Sequence, residues 1–322
     1  MQDVDVSIII VSYNTCDLTL DCIRSVYAQT IASCEVIVID NNSTDGSPEA
    51  IANEFPQVIM IANHDNRGFA AANNQGMEIA RGRYILLLNP DTLIRENAID
   101  KCLEYTDANA EIGILGCQVF GADNYRQSTC FHPPTLRGTI YSLFIPVALS
   151  RRSRILGRGR YIGNNWSQVQ DVAVIAGCFM FVRHEILERV GLMDPNYFMY
   201  QEEVDWCYRT IRAGWRIVYY PEAWITHYGG QSADQYSEEM LILQTKSRLY
   251  FMRKHYGKKT AALANFVLLI HNLIRVPFVW LVKILPSSTS IGRHLTITVL
   301  FRRIIFHVRA ILHLDDVISY NA

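Results

Sequence analysis

The feature that most constrains this chain is the alternation, over its first 120 residues, of fully apolar runs with helical patterns. Four runs read as strands, and helical stretches separate them: VSIIIVSYN, CEVIVID, VIMIAN and YILLLN. Strands that are apolar on both faces are typical of parallel sheets covered by helices on each side. The sequence therefore predicts an α/β fold with a mostly parallel central sheet and flanking helices.

Polar side chains follow three of these four runs, at the points where the strands end. They are Ser12, Tyr13 and Asn14 after the first run, Asp40, Asn41 and Asn42 after the second, and Asn89 and Asp91 after the fourth. In open α/β sheets, ligands bind beyond the carboxyl ends of the strands, so three polar ends indicate a binding site. The usual glycine-rich phosphate loops are absent from the sequence, and a bound nucleotide must be held in another way.

A second polar cluster lies in FMYQEEVDWCYRTIRAGWRIVYYPEAWITHYGGQS. Glu202 and Glu203 begin a predicted helix, which Gly214 ends and whose buried face is predicted to contain Val204, Cys207, Tyr208 and Ile211. The helix dipole stabilises a carboxylate in the first turn by about 0.3–1 kcal/mol, so one of the pair could accept a proton. The alternative is a helix cap on a solvated face. His227 follows a strand and is either structural or a metal ligand.

Composition sets broader limits on the 322-residue chain, half of which is hydrophobic. Eight cysteines without a C-x-x-C pair or a zinc-site spacing predict reduced thiols and a cytosolic protein. The acidic start, Met1 to Asp5, lacks the features of a signal peptide. Residues 251–322 contain ten Lys or Arg and two acids although the net charge of the chain is −1, so this tail and the body are expected to face different partners.

Two apolar stretches dominate the tail. The first, residues 260–282, is apolar enough to suggest a spanning helix, but its polar residues cluster on a helical wheel and Pro277 interrupts it: Asn265, His271, Asn272, Arg275 and Lys283. The second stretch places four arginines among isoleucines and leucines: Arg293, Arg302, Arg303 and Arg309. Such helices are predicted to bind an anionic membrane surface through residues 260–322, and a helical subdomain packed on protein is an equal alternative.

Seven motifs occur in the order and approximate spacing of the family 2 glycosyltransferases, and they resemble most the bacterial rhamnosyltransferase branch. They span about residues 5 to 235: SIIIVSYN, VIVIDNNSTDGS, NRGFAAANNQG, YILLLNPDT, AGCFMFVR, FMYQEEVDWCYRTIRAGWRI and ITHYGGQS. The resemblance implies a GT-A fold, a nucleotide-sugar donor, a divalent cation (Mg²⁺ or Mn²⁺), inverting single displacement and no nucleic acid. The implied GT-A domain is 1–250, with donor-binding and acceptor halves of about 1–120 and 121–250, followed by the helices of 251–322.

The resemblance also implies a role for individual residues. Those expected at the donor are Ser12, Tyr13, Asn14, Asp40, Asn42, Arg67, Asn89 and Asp91. Asp91 matches the last residue of the family's D-x-D metal motif, and His227 matches its later metal-side histidine. Glu203 matches the second acid of the Glu-Asp pair that acts as general base, and Glu202 is its rival. The chain departs from the family pattern at Asn89, which removes one charge from the metal motif, and at Glu203, where aspartate is usual.

The leading expectation is the inverting transfer of L-rhamnose from dTDP-rhamnose to a hydroxyl of a lipid-linked saccharide, in bacterial cell-surface polysaccharide synthesis. The enzyme is expected to be peripheral on the inner face of the cytoplasmic membrane. A UDP-hexose or UDP-galactofuranose transferase is the main alternative. A catalytically silent nucleotide-sugar-binding subunit of a polysaccharide assembly complex is an alternative from another class, and the presence of Asp91, Glu203 and His227 argues against it. The sequence leaves the possibility of a homo-oligomer open.

Overall fold

The four apolar runs form the parallel strands that the sequence predicts. The computed structural model describes residues 4–144, 166–229, 238–284 and 297–319. The first elements are β1 (Val6–Ser12), α1 (Cys16–Gln29), β2 (Cys34–Asp40), α2 (Ser47–Glu54), β3 (Ile59–Ala62), α3 (Gly68–Ile79) and β4 (Tyr84–Leu88). The strands stand in the order β3-β2-β1-β4, and each pair is parallel. Nearly all residues of β1 and β4 are buried, as expected for strands enclosed on both faces.

The chain after β4 completes the sheet with strands of both directions. Its elements are β5 (Thr92–Arg95), α4 (Ala98–Asp107), β6 (Ile112–Phe120), β7 (Cys130–Phe131), α5 (Leu136–Phe144), β8 (Gln170–Asp171), β9 (Val174–Ile175), β10 (Phe179–Arg183), α6 (Glu185–Arg189), α7 (Glu202–Arg212) and β11 (Arg216–His227). Strand β10 is antiparallel to its neighbours β4 and β6, and β11 is parallel to β6. Within the described ranges the sheet has nine strands in the order β3-β2-β1-β4-β10-β6-β11-β5, with β8 beside β11. The predicted α/β fold is confirmed, with the antiparallel β10 as an addition.

The cysteines belong to the packing of this fold. All eight are free thiols and six of them are buried, in agreement with thiols that act as small apolar side chains. Burial raises the pKa of Cys22 and of Cys207 to about 12, so these thiols stay protonated at neutral pH. Neither of these two has the low pKa of a reactive cysteine.

The chain divides into two compact units. The first consists of Met1–Pro133, Gly163–Phe198 and Glu202–Ser232 and contains the sheet; the second consists of Pro134–Ile162, Met199–Gln201 and Ala233–Ala322. The described part of the second unit contains α5 and four further helices: α8 (Glu238–Tyr256), α9 (Lys258–Ile284), α10 (Ile297–Leu312) and α11 (Leu314–Ile318). The domain boundary at residue 250 and the division near residue 120 stay predictions. Arg293 and the arginine-rich sequence RRSRILGRGR at 151–160 lie outside the described residues.

Helices α9 and α10 of the second unit bury a few polar side chains and expose many apolar ones. Asn265 and His307 are fully buried; the Asn265 Nδ2 donates to the His307 carbonyl at 2.9 Å. Asn272 is fully buried as well. The exposed face carries Leu263, Phe266, Leu273, Ile274, Phe301, Ile305, Val308 and Ile311. By length and composition, Lys258–Pro277 could cross a membrane.

The helical wheel of α9 therefore groups the right residues on one face, but that face does not form a polar outer surface. Asn265 and Asn272 lie inside the helical unit. The Asn265 amide bonds to His307, whereas the Asn272 Nδ2 donates to the Leu268 carbonyl of its own helix and its Oδ1 has no partner. The side chain of Lys283, the last member of the predicted polar stripe, lies outside the described residues. The exposed face of α9 is thus more apolar than the sequence indicated.

Candidate active site

The carboxyl ends of the parallel strands meet at one edge of the sheet. Ser12 at the end of β1 lies in register with Asp40 at the end of β2. Leu88, the last residue of β4, pairs two positions before the end of β1, so Asn89 and Asp91 continue past the same edge. The fold thus brings the three polar strand ends together.

Asp40 offers one unsatisfied carboxylate oxygen at this edge. The side chain is buried; its Oδ2 accepts the backbone N–H of Ser43 at 2.9 Å, whereas its Oδ1 has no hydrogen-bond partner. Leaving a buried polar atom unpaired costs about 1–3 kcal/mol, which an N–H or O–H group of a ligand would offset. Asp40 therefore has the geometry expected of a residue that binds the base or ribose of a nucleotide.

Two other residues predicted at the donor hold the local structure. The Ser12 hydroxyl is buried and lies 3.1 Å from the hydroxyls of both Thr15 and Thr19, so it fixes the start of α1. Asn14 has a left-handed backbone, and its Oδ1 accepts the N–H of Thr44 at 2.8 Å. These two side chains hold the loops at this edge of the sheet in place.

Three further predicted donor residues present their side chains to solvent. Tyr13 is 42% exposed, which leaves its ring accessible to a planar base. Asn42 is exposed and adopts a φ of 71°, a conformation that asparagine tolerates better than most residues. The Arg67 guanidinium makes an exposed ion pair with Asp65 at 3.3 Å. Because such a surface ion pair is weak, Arg67 can exchange Asp65 for a phosphate at small cost.

Asn41, which the family resemblance did not assign, is the centre of a side-chain network beside Asp40. Its Oδ1 accepts hydrogen bonds from the Asn63 side chain at 3.1 Å and from the Arg67 backbone at 3.2 Å. Its Nδ2 donates to the Asn66 Oδ1 at 2.9 Å. The network ties the loop after β2 to the loop before α3, so it holds this edge of the sheet in one conformation.

Asp91 and His227 face each other where β4 and β11 end. The Asp91 Oδ1 and the His227 Nε2 are 3.3 Å apart, and both side chains are largely buried. The backbone N–H of Tyr228 donates to the Asp91 carbonyl at 3.0 Å, which joins the two segments. The Asn89 side-chain nitrogen lies 3.4 Å from the same imidazole nitrogen. The two residues predicted at the metal, Asp91 and His227, therefore lie together, and Asn89 lies beside them.

These side chains fit a divalent cation in part. A carboxylate and an imidazole suit Mn²⁺, and the carboxylate suits Mg²⁺. Among the residues that the structure describes, no group of three His, Cys, Asp or Glu side chains could hold a metal ion. A cation between Asp91 and His227 would therefore need further oxygens, which a diphosphate and water can supply.

Gln127 is a contact of this site that sequence reasoning missed. Its Oε1 lies 2.8 Å from the His227 Nδ1, and its Nε2 donates to the His227 carbonyl at 2.8 Å. The residue lies in an irregular stretch, 100 positions before its partner, and no sequence pattern links the two. Its backbone N–H donates to the Val119 carbonyl at 2.8 Å, which anchors it next to the end of β6.

The two glutamates at the start of α7 differ in burial. Glu202 is 5% exposed, and its pKa is raised well above its ordinary value by burial and by the charge of Glu203. Glu203 is half-buried. Tyr200 and Gln201, just before the pair, both have a φ of 70°, which non-glycine residues rarely adopt. Burial and the neighbouring charge thus favour the neutral form of Glu202, and Glu203 is the less buried member of the pair.

The buried face of α7 differs from the prediction at two positions. Ile211 was expected inside but is 42% exposed, whereas Trp206 is fully buried and its indole N–H donates to the Gly191 carbonyl at 2.9 Å. Asp205 is fully buried and paired with Arg209 at 2.8 Å. This third acid of the cluster therefore serves the fold.

Backbone contacts connect the segment before α7 to the carboxyl edge of the sheet. The N–H of Phe69, in the first turn of α3, donates to the Phe198 carbonyl at 2.7 Å, four residues before Glu202. Gly68 has a φ of +79° and packs directly against the Phe198 backbone. The Asn89 N–H donates to the Cys178 carbonyl at 3.1 Å in the segment that leads into β10. The sheet unit thus holds both polar clusters through a short series of contacts.

The family model described as "Glycosyl transferase family 2" matches residues 7–191, and the chain belongs to this family. The expectation drawn from the seven motifs is confirmed.

Two relatives in sequence are a rhamnosyltransferase and a hexosyltransferase. The chain is 27% identical, over 69% of its length and 76% of the relative's, to the N-acetylglucosaminyl-diphospho-decaprenol L-rhamnosyltransferase of Mycobacterium tuberculosis. It is 23% identical to the low-salt glycan biosynthesis hexosyltransferase Agl10 of Haloferax volcanii, over 65% of this chain and 62% of that one.

Among solved structures, a mannosyltransferase from Pyrobaculum calidifontis, in complex with GDP-Man and Mn²⁺, is similar in fold. Its TM-score is 0.55 at 14% identity, and the match covers 96% of this chain and 87% of that one. GalNAc-T7, with UDP, GalNAc and Mn²⁺, gives a TM-score of 0.53 at 14% identity, over 78% of this chain and 51% of that one. These likenesses confirm the GT-A fold.

Proposed function

We propose that the protein transfers L-rhamnose from dTDP-rhamnose to a hydroxyl of a lipid-linked saccharide, with inversion and with a divalent cation, in bacterial cell-surface polysaccharide synthesis. The observation that carries the enzymatic proposal is the Asp91–His227 pair, 3.3 Å apart beyond the end of β4. The mycobacterial relative, which its name describes as an L-rhamnosyltransferase, supports the choice of sugar and the lipid-linked acceptor. A silent binding subunit would need neither this pair nor Glu203.

The nucleotide end of the donor is assigned to the edge formed by β1 and β2. The free Oδ1 of Asp40 accepts a hydrogen bond from the base or ribose, and Tyr13 covers the base. Arg67 approaches the phosphates after it releases Asp65. Asn14 and Asn41 act indirectly, because they hold these loops in place.

The diphosphate end is assigned to Asn89, Asp91 and His227. A bound divalent cation would supply the positive charge that offsets the charge developing on the leaving diphosphate. Asp91 and His227 are the side chains that would hold it, while Asn89 donates a hydrogen bond in place of the carboxylate of the usual motif. The loss of that charge leaves Asp91 as the anion of the site.

The acceptor side is assigned to Glu203. Its carboxylate takes the proton from the acceptor hydroxyl, whose oxygen attacks the anomeric carbon on the face opposite the diphosphate. The bond from that carbon to the phosphate oxygen breaks, and the configuration inverts. Glu202 is buried and its pKa is raised, so Glu203 and not Glu202 is assigned the proton. Glu203, as a carboxylate in the first turn of α7, also gains from the helix dipole.

Replacing Asp91 by asparagine is expected to weaken Mn²⁺ binding at least about tenfold, because it removes the anion at the metal position with little change in shape. Calorimetric titration of Mn²⁺ in the presence of dTDP or UDP measures the effect. Asp17→Asn, an exposed carboxylate in the first turn of α1, is the matched control. An unchanged affinity in Asp91→Asn places the cation elsewhere.

The donor is tested by thermal shift with dTDP-, UDP- and GDP-sugars, each with and without Mg²⁺ or Mn²⁺. A ligand that binds only the folded state raises the melting temperature, so the true donor gives the largest cation-dependent shift. dTDP-rhamnose is expected to give it. A larger shift with UDP-glucose or UDP-galactofuranose selects the alternative donors.

The second unit is assigned to the anionic inner face of the cytoplasmic membrane, where a lipid-linked acceptor resides. Its exposed helical face is apolar over α9 and α10, and Arg302 and Arg309 are exposed beside Phe301 and Ile305. Apolar side chains flanked by arginines favour burial at the boundary between headgroups and acyl chains. The inward placement of Asn265 and Asn272 removes a cost of that burial.

Replacing Ile274 and Ile305 together by serine is expected to lower binding to vesicles that contain phosphatidylglycerol by more than about tenfold. A fully buried isoleucine contributes roughly 1.5–3 kcal/mol. Two isoleucines that are only half buried in the membrane therefore still contribute enough for a change of about tenfold in binding. Cosedimentation measures the bound fraction. The matched control is Ile31→Ser with Ile79→Ser, two exposed isoleucines of the sheet unit. Equal losses in both double variants, or a wild-type protein that does not sediment with vesicles, contradict the assignment.

A further inference from the structure

Gln127 holds His227 by two hydrogen bonds to different parts of the same residue. The amide nitrogen of Gln127 donates to the His227 carbonyl, and its amide oxygen lies against the imidazole Nδ1, both at 2.8 Å. A backbone carbonyl only accepts hydrogen bonds, so the amide nitrogen must face it. This orientation leaves the amide oxygen, which also only accepts, against the Nδ1. The Nδ1 must therefore carry a proton.

The position of this proton determines what the other face of the ring can do. A neutral imidazole has one protonated nitrogen, so a proton on Nδ1 leaves a lone pair on Nε2. That nitrogen faces the Asp91 Oδ1 at 3.3 Å and the Asn89 amide nitrogen at 3.4 Å. Two electron-pair donors, the imidazole nitrogen and the carboxylate oxygen, thus converge on one point.

We propose that Gln127 is a positioning residue that fixes His227 in the tautomer with the proton on Nδ1, so that the Nε2 lone pair points at the cation position beside Asp91. The inference rests on the proposed function for the identity of that position, and Gln127 itself touches neither donor nor cation. Partners that fix the tautomer of a ligating histidine commonly change metal affinity by roughly 10–100-fold.

The anchoring of Gln127 makes it suited to this task. Its backbone N–H is bonded to the Val119 carbonyl at 2.8 Å, and the bridge between Phe120 and Arg126 closes the loop before it. His227 is the last residue of β11 and pairs with Thr92 of β5. Both partners are therefore fixed by the sheet, and the two side-chain bonds leave the ring one orientation.

The deciding experiment is the ¹⁵N–¹H correlation spectrum of the histidine side chains in the full-length protein without metal. His227 is identified among the nine histidines by its absence in His227→Gln. The wild type is expected to show the tautomer with the proton on Nδ1. Gln127→Met, similar in size but unable to form either bond, is expected to show a mixture of tautomers. Gln57→Met, an exposed glutamine before β3, is the matched control.

The second measurement is the dissociation constant for Mn²⁺ by electron paramagnetic resonance, with dTDP or UDP present. It is expected to rise roughly 10–100-fold in Gln127→Met and to stay unchanged in Gln57→Met. The Nδ1 tautomer in Gln127→Met, or an unchanged Mn²⁺ affinity there beside tight wild-type binding, overturns the proposal. A wild type that shows the Nδ1 tautomer but binds no Mn²⁺ instead overturns the metal site of the proposed function and leaves the role of Gln127 in the tautomer supported.

Discussion

Glu203→Gln is expected to lower kcat by roughly 10²–10⁴ while donor binding is retained, because the amide keeps the shape of the side chain but cannot take the proton of the acceptor hydroxyl. Turnover is measured with a lipid-linked saccharide and the donor selected by the thermal-shift screen. Donor affinity is measured separately by calorimetry. A variant that binds the donor as the wild type does but transfers no sugar locates the defect in the chemical step.

Glu202→Gln is the partner experiment, and the structure predicts a different result for it. Glu202 is buried next to the charge of Glu203, which raises its pKa well above its ordinary value. Glutamine resembles the protonated glutamate in size and charge, so this variant is expected to keep most of its activity. If Glu203→Gln keeps full activity and Glu202→Gln loses it, Glu202 is the general base and the assignment is wrong.

Gly68→Ala is expected to destabilise the protein by several kcal/mol and to impair transfer. Gly68 has a φ of +79°, where any other residue is strained, and an added Cβ would overlap the Phe198 carbonyl oxygen. It would also lie 2.8 Å from the Cδ2 of the Phe198 ring. The strain costs about 1 kcal/mol and the overlap roughly 1–3 kcal/mol more. Because Glu203 lies five residues after Phe198, relief of the overlap is expected to displace this proposed general base.

Gly46→Ala provides the matched control for this substitution. Gly46 has the same φ of +79°, but an added Cβ there would meet nothing within 4 Å. The difference in unfolding free energy between the two variants, from urea denaturation, therefore isolates the overlap with Phe198. Equal destabilisation in both variants would show that Phe198 moves away from the added Cβ with no measurable loss of stability.

The first part of the sheet was predictable because its strands are runs of mainly apolar residues. VSIIIVS and YILLL have no polar face, and only a strand covered on both sides buries every residue of such a run. The meeting of the polar strand ends was also predictable, because parallel strands have their carboxyl ends at the same edge of the sheet. Ser12 and Asp40 are accordingly in register. Strand β10 could not be foreseen as antiparallel, because a short apolar run carries no direction.

Other parts of the site depend on contacts between distant segments. No local pattern marks Gln127, whose partner follows 100 positions later. The difference between Glu202 and Glu203 arises from burial, which two adjacent glutamates in a sequence do not disclose. The wheel of α9 grouped Asn265 with Asn272, but a wheel cannot tell whether a polar stripe faces water or another helix.

The hydrogen bonds around Asn41 also bear on the entropy of donor binding. The loops after β1 and β2 are already joined through Asn14, Ser43 and Thr44, and Asn41 ties the second of them to the loop before α3. Ordering a loop residue costs roughly 1–2 kcal/mol, and here that cost is met when the chain folds. In the proposed function, a nucleotide that binds at the free oxygen of Asp40 would therefore enter a preorganised site, and little of its binding energy would be lost to loop ordering.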